Sequence, residues 1–215
     1  MANHPDAGAA PLLSGIYAIV NDTHADPVTL ARAALLGGAS IVQYRAKRQF
    51  DEGHARTIRD LTRAHGALFI LNDRWRDAER FDADGAHVGP DDAQWAHLPA
   101  IRKAMQSRLL GVSCGTEEEA RIADAAGADY LGVGAVYATS SKDDAGAPIG
   151  IAGLARVASA GHRPVAAIGG ITLESLGEVR RAGAAMAAVI SAIAAAPDPQ
   201  AATAALVREW EAQAD

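Results

Sequence analysis

The residues that could do chemistry in this 215-residue chain fall in a few short stretches. The first is Gln43-Tyr44-Arg45-Ala46-Lys47, at the tail of an apolar run. Side chains alternate faces along a strand, so Ile41, Gln43, Arg45 and Lys47 share one face and Val42, Tyr44 and Ala46 the other. The apolar set suits packing under helices. An amide and two cations on an inward face are costly unless an anion meets them, and a phosphorylated ligand would supply one. In the competing reading, Arg45 and Lys47 lie past the strand and are solvated.

The next stretches are Asn72-Asp73 and Asp91-Asp92, which close two consecutive apolar runs with carboxylates. Mg2+ takes oxygen ligands and is usually held by one or two carboxylates plus substrate phosphates. Asp73 with Asp92 or Asp91 would suit it, although each aspartate alone could equally cap the helix that comes next. Ser113 offers a hydroxyl to a phosphate oxygen. The long segment 135–150 carries Thr139, Ser140, Ser141 and Lys142; a connection of that length is usually a lid or a binding loop. Gly169-Gly170 would let backbone N–H groups approach a phosphate closely, with Ile190-Ser191 beside them.

Gly111-Val112-Ser113-Cys114-Gly115 matches the spacing of a nucleophile elbow. That elbow needs an acid and a histidine later in the chain. Only His162 comes later, in a turn at the wrong end of the fold, so neither Ser113 nor Cys114 reads as a nucleophile.

These residues need elements to place them. Eight short apolar runs recur at 16–20, 40–46, 68–72, 85–89, 109–114, 130–134, 165–169 and 186–191. Amphipathic stretches that read as helices come after each, at about 27–37, 51–65, 74–81, 92–106, 116–126, 151–160, 173–182 and 199–213. Asp26-Pro27 and Asp198-Pro199 read as N-caps with proline at the first helical position. Thr116 with Glu119 reads as a capping box. Gly37-Gly38, Gly66, Gly127 and Gly183 stand where helices should stop. Strict alternation of strand and helix implies a parallel sheet. Eight units in this length predict closure into a single (β/α)8 TIM barrel, an α/β fold with its site at the strand C-terminal ends. The Gly-x-Gly-x-x-Gly of an open dinucleotide-binding sheet is missing after the first run. The expected organisation is a loose tail at 1–13 and one barrel domain over 14–215.

Composition narrows the function. Hydrophobic residues make up 49% of the chain and charged ones 21%, as in an ordinary globular enzyme. A net charge of -6 argues against nucleic acid as a partner. There is no apolar run of membrane-spanning length and no signal-peptide pattern at the start. The single cysteine, Cys114, excludes an intrachain disulfide and fits a cytoplasmic location. A homo-oligomer is compatible with the sequence.

Taken in order, these residues resemble the thiamine phosphate synthase (thiamine-phosphate pyrophosphorylase) family over about 15–210. The most specific piece is Gln43-Tyr44-Arg45-Ala46-Lys47, similar to the family's Gln-x-Arg-x-Lys segment. Asn72-Asp73, Gly85-Ala86-His87-Val88-Gly89, Gly111-Val112-Ser113, Gly132-Val133-Gly134, Thr139 to Lys142, Ile168-Gly169-Gly170-Ile171 and Ile190-Ser191 come after it in family order. The resemblance implies small-molecule substrates: a hydroxymethylpyrimidine pyrophosphate and a hydroxyethylthiazole phosphate, joined with loss of pyrophosphate. It implies that Gln43, Arg45, Lys47, Asn72, Ser113 and Lys142 hold the pyrimidine pyrophosphate, with Tyr44 and Ala46 counted in the same binding segment. Arg45, Lys47, Ser113 and Lys142 would be the catalytic set, and Asp73 and Asp92 would hold Mg2+. Thr139, Ser140, Ser141, Gly170, Ile190 and Ser191 would take the thiazole phosphate. The chain departs from the family pattern at Pro90, Gly115, Ala135 and Ser141. The alternatives are a thiazole tautomerase-like relative and a non-catalytic barrel that binds thiamine precursors and regulates a partner.

Overall fold

The computed structural model describes residues 13–23, 25–46, 48–89, 95–139 and 146–213. The first half runs β1 (Gly15–Asn21), α1 (Pro27–Leu36), β2 (Ile41–Arg45), α2 (Glu52–Ala64), β3 (Leu68–Asn72), β4 (Gly85–Val88), α3 (Leu98–Met105) and β5 (Leu109–Cys114). The second half runs α4 (Glu117–Ala125), β6 (Tyr130–Val133), α5 (Gly150–Ala160), β7 (Val165–Ile168), α6 (Leu176–Arg181), β8 (Met186–Val189), α7 (Ser191–Ala194) and α8 (Pro199–Ala212). The eight strands pair in chain order and β8 returns to β1, so the expected TIM barrel closes. Every pairing is parallel.

Strand alternation sorts the apolar residues into two cores. Ile16, Ala18, Val20, Val42, Tyr44, Phe69, Leu71, Val112 and Val133 point outward and are buried under the helices. Tyr17, Ile19, Ile41, Ile70, Leu109, Tyr130, Met186 and Ala188 fill the barrel interior. The helix signals lie where the sequence reading puts them. Asp26 and Asp198 accept from the backbone N–H groups of Thr29 and Ala201, each with proline in the first turn, and Thr116 and Glu119 form a full capping box. Gly38, Gly66, Gly127 and Gly183 take positive φ just beyond helix ends, a conformation that costs glycine little.

Polar residues just before strands pin the register at the other end of the barrel. The carboxylate of Asp84 accepts from Phe69 N at 2.7 Å, and that of Asp129 accepts from Leu110 N at 2.8 Å. Ser40 Oγ donates to Ser14 O at 2.6 Å. Each fastens the start of one strand to its predecessor, which keeps the inward and outward sets from exchanging faces.

Three elements differ from expectation. No α-helix forms at 74–81; a 3-10 turn at Trp75–Asp77 stands there. The chain must travel from the end of β3 at Asn72 to the start of β4 at Gly85, which leaves too little length for a helix and both turns. The helix expected at 92–106 is shorter: α3 starts at Leu98, after a 3-10 turn at Trp95–His97. Pro99 lies in its first turn, where a missing N–H is harmless. The last strand stops at Val189, because Ile190 leaves the strand conformation with φ -120° and ψ -78° and opens the short helix α7.

Candidate active site

The strand C-terminal ends surround a cavity of about 530 Å3. Its polar lining divides by strand. Gln43, Arg45, Asn72, Asp73, His87 and Ser113 come from β2 to β5 and the turn after β3; Thr139, Gly169, Gly170, Ile190 and Ser191 come from the segments after β6 to β8. Tyr17, Ile19, Ala166, Ile168 and Ala188 also line it, as does Glu119 from α4. The alternation argument for the second strand therefore places Gln43 and Arg45 correctly. Arg45 Nη1 is buried and has no hydrogen-bond partner among the described residues. A guanidinium N–H in that state calls for an anion.

Tyr44 and Ala46, expected among the substrate-binding residues, lie on the opposite face. Tyr44 is buried in the outer layer against Phe50 and His54, and its hydroxyl accepts from Asp51 N at 3.3 Å. Ala46 packs against the same outer core. Both positions are a result of the two-residue period of the strand. Lys47, Asp91, Asp92, Ser140, Ser141 and Lys142 lie outside the described residues.

Asp73 takes φ +61°, and its N–H donates to His87 O at 2.7 Å. Its carboxylate accepts from the Asn72 side-chain amide. Arg74, not Asp73, stands at the N-cap of the 3-10 turn, with no side-chain cap bond. Asp73 is therefore not a helix cap, and its carboxylate lines the cavity. No cluster of three or more His, Cys, Asp or Glu side chains able to hold a metal occurs among the described residues. Asp73 beside Arg45 in this cavity still matches the way Mg2+ is held, by few protein oxygens and several phosphate ones.

The glycine pair after β7 has a packing role as well. Gly169 and Gly170 take positive φ, and a Cβ on Gly170 would come within 2.7 Å of Tyr137 Cβ. The absence of side chains lets the segment after β6 lie against them, with Val136 N donating to Ile168 O at 2.9 Å and Tyr137 N to Gly169 O at 3.0 Å. Tyr137 also donates its hydroxyl to Glu178 on α6. Thr139, two residues on, lines the cavity.

Sequence reasoning missed a buried polar chain. Gln43 Nε2 donates to the Tyr17 hydroxyl at 2.7 Å, and Tyr17 meets the Tyr130 hydroxyl at 2.9 Å. Tyr130 lies 3.2 Å from His87 Nδ1, and His87 Nε2 lies 3.0 Å from Ser113 Oγ. His87 shares its strand's inward face with Gly85, and the next two strands, β5 and β6, carry Gly111 and Gly132 on that face. That run of glycines is the available signal, because it leaves a space only a larger neighbour can fill. An alanine at 111 would put its Cβ 2.5 Å from His87 Nδ1 and closer still to the Tyr130 ring. Gly111→Ala is expected to destabilise the protein by about 3 kcal/mol through overpacking, which thermal unfolding checks.

Ser113 next to His87 invites a nucleophile reading, which the surroundings reject. The imidazole's Nδ1 faces Tyr130, a neutral phenol whose ionisation burial pushes well up, at the position where a hydrolytic triad has a carboxylate. Cys114 points to the outer core, and burial with the Glu119 carboxylate nearby pushes its thiol up to about 12. The thiol therefore stays protonated near neutral pH, and the thiolate is the reactive form. Iodoacetamide is expected to leave Cys114 unmodified in the folded protein and to label it on denaturation, as mass spectrometry would read.

A (β/α)8 barrel whose mouth joins a cationic, carboxylate-bearing half to a glycine-and-hydroxyl half is a barrel enzyme for phosphorylated substrates. The sequence matches the thiamine monophosphate synthase family over residues 16–193. The thiamine-phosphate synthase of Chlorobium phaeovibrioides is 46% identical over 199 residues, spanning 90% of this chain and 93% of that one. That of Moorella thermoacetica is 47% identical over 178 residues, spanning 80% and 83%. The solved thiamine phosphate pyrophosphorylase from Pyrococcus furiosus superposes with a TM-score of 0.84 at 34% identity, covering 93% of this chain and 97% of that one. The chain belongs to the thiamine monophosphate synthase family, and it is a transferase.

Proposed function

We propose that the cavity joins 4-amino-2-methyl-5-hydroxymethylpyrimidine pyrophosphate to hydroxyethylthiazole phosphate, giving thiamine phosphate and pyrophosphate. The observation that carries this reading is Arg45 Nη1, buried without a partner among the described residues, on one half of a two-part mouth. Such a guanidinium suits the larger anion, and the Gly170–Ser191 half suits the smaller one.

The chemistry is a substitution at the pyrimidine methylene. The C–O bond to pyrophosphate breaks with its electron pair leaving on oxygen, and the ring's amino group stabilises the methylene cation. The thiazole nitrogen then forms the new C–N bond with its lone pair. Negative charge grows on the leaving pyrophosphate, where Arg45, Lys47 and Lys142 would meet it; fixed charges aimed at developing charge are the largest common source of catalysis. Ser113 and Gln43 would orient the ring. No protein nucleophile is needed, which agrees with an unreactive Cys114 and a Ser113 without a triad. Asp73, with Asp92, would hold Mg2+, whose chemistry is to neutralise the pyrophosphate oxygens. Holding both substrates in one cavity supplies proximity.

No helix among the described residues is long and apolar enough to cross a membrane, and we place the reaction in the cytoplasm. Mixed with both phosphorylated precursors and Mg2+, the protein is expected to form thiamine phosphate. Binding of either precursor without product would favour a regulatory barrel instead. Chelation by EDTA should stop the reaction and added Mg2+ restore it.

A further inference from the structure

The polar chain between Gln43 and Ser113 is closed to water in its middle. Tyr17 and Tyr130 are 1% and 0% exposed, so their protons must go to each other or to the chain's neighbours. A hydroxyl carries one proton, and a neutral imidazole donates from one nitrogen and accepts at the other. Two arrangements satisfy every buried proton. In one, the Gln43 amide donates to Tyr17, Tyr17 to Tyr130, Tyr130 to His87 Nδ1, and His87 Nε2–H to Ser113. The Ser113 proton then points into the cavity, while Gln43 offers it a carbonyl oxygen. In the other, every bond is reversed and the amide is turned over: Ser113 offers a lone pair and Gln43 its N–H groups. Any mixed arrangement leaves a buried donor or acceptor of the chain unsatisfied, which disfavours it.

We propose that this five-residue relay couples Gln43 to Ser113, so that one presents an acceptor to the ligand whenever the other presents a donor. The inference rests on the reading that the ligand is an aminopyrimidine, a ring that offers an N–H donor at its amine and acceptors at its ring nitrogens. Tyr17, Tyr130 and His87 are then positioning residues, and the His87 tautomer reports the direction of the relay. The 4-oxo counterpart of the ring exchanges donor for acceptor along that edge. A reversible relay binds it too, with the opposite His87 tautomer.

Thiamine phosphate formation by the wild-type protein is measured first, since its failure removes the substrate reading and not the relay. Histidine is then labelled with 15N, with His87 assigned by the loss of its signals in His87→Asn. Spectra are taken with the 4-amino and the 4-oxo pyrimidine pyrophosphates bound, without the thiazole. The wild type is expected to show opposite His87 tautomers with the two ligands. In Tyr17→Phe, Tyr130 has only His87 left to donate to. His87 should therefore stay Nε2-protonated with both ligands, and the ligand that needs an acceptor at Ser113 should bind about ten- to a hundred-fold more weakly. The same tautomer with both ligands in the wild type, no binding of the 4-oxo ligand, or a Tyr17→Phe variant whose tautomer tracks the ligand as before would overturn the relay.

Discussion

Replacing Arg45 with methionine is expected to lower kcat/KM for the pyrimidine pyrophosphate by about a hundred- to a thousand-fold, the size of effect expected on losing one preorganised charge at a reacting group. The same substitution should leave the free protein as stable as the wild type or more so. Arg45 Nη1 is buried without a partner among the described residues, so truncation breaks no hydrogen bond at that atom. Removing an unsatisfied buried donor recovers about 1 kcal/mol or more, which at this chain length raises Tm by about 2–4 °C per kcal/mol. Activity and stability moving in opposite directions is the signature of a residue kept for its ligand. Steady-state kinetics and a thermal melt on one preparation read both. A melt lowered by several degrees would mean that Arg45 holds the barrel together.

Asp73→Asn should cost nearly as much activity, for a different reason. Its backbone sits at φ +61°, a region asparagine and aspartate enter more readily than other side-chain-bearing residues. Asparagine therefore keeps the turn and the N–H bond to His87 O, and removes only the charge. The expected outcome is a fall in kcat/KM of about a hundred-fold or more, with a Mg2+ concentration for half-maximal rate raised by about ten-fold, in line with loss of one of few protein oxygens on the ion. Tm should be nearly unchanged. Asp73→Ala is a poorer probe because it adds backbone strain to the loss of charge. Titrating Mg2+ against rate for Asp73→Asn and wild type checks the assignment, and an unchanged Mg2+ requirement would remove Asp73 from the ion.

How far the sequence reaches is visible in particular residues. The strand period places Gln43 and Arg45 inside and Tyr44 and Ala46 outside, and both placements hold. Caps at Asp26, Thr116 and Asp198 are local chemistry and are read directly from residue type. The 3-10 turn at Trp75–Asp77 is not legible in this way, because it is set by the short distance left between β3 and β4. His87, Tyr17 and Tyr130 are hidden for another reason. Each lies on an ordinary apolar strand, and their hydrogen bonds link residues up to 113 apart in sequence. No local pattern records a contact of that range. Gly169-Gly170 reads as a phosphate cradle; its tight fit against Tyr137 adds a packing demand that a glycine pair alone does not reveal.

Direct joining of two phosphorylated substrates in one cavity is tested most sharply by a rapid-quench time course with enzyme in excess over both precursors. Thiamine phosphate, pyrophosphate and the intact mass of the protein are followed together. Direct joining predicts the two products in equal amounts at every time point, with the protein mass unchanged throughout. Pyrophosphate running ahead of thiamine phosphate, together with a protein heavier by one pyrimidinylmethyl group, would contradict it.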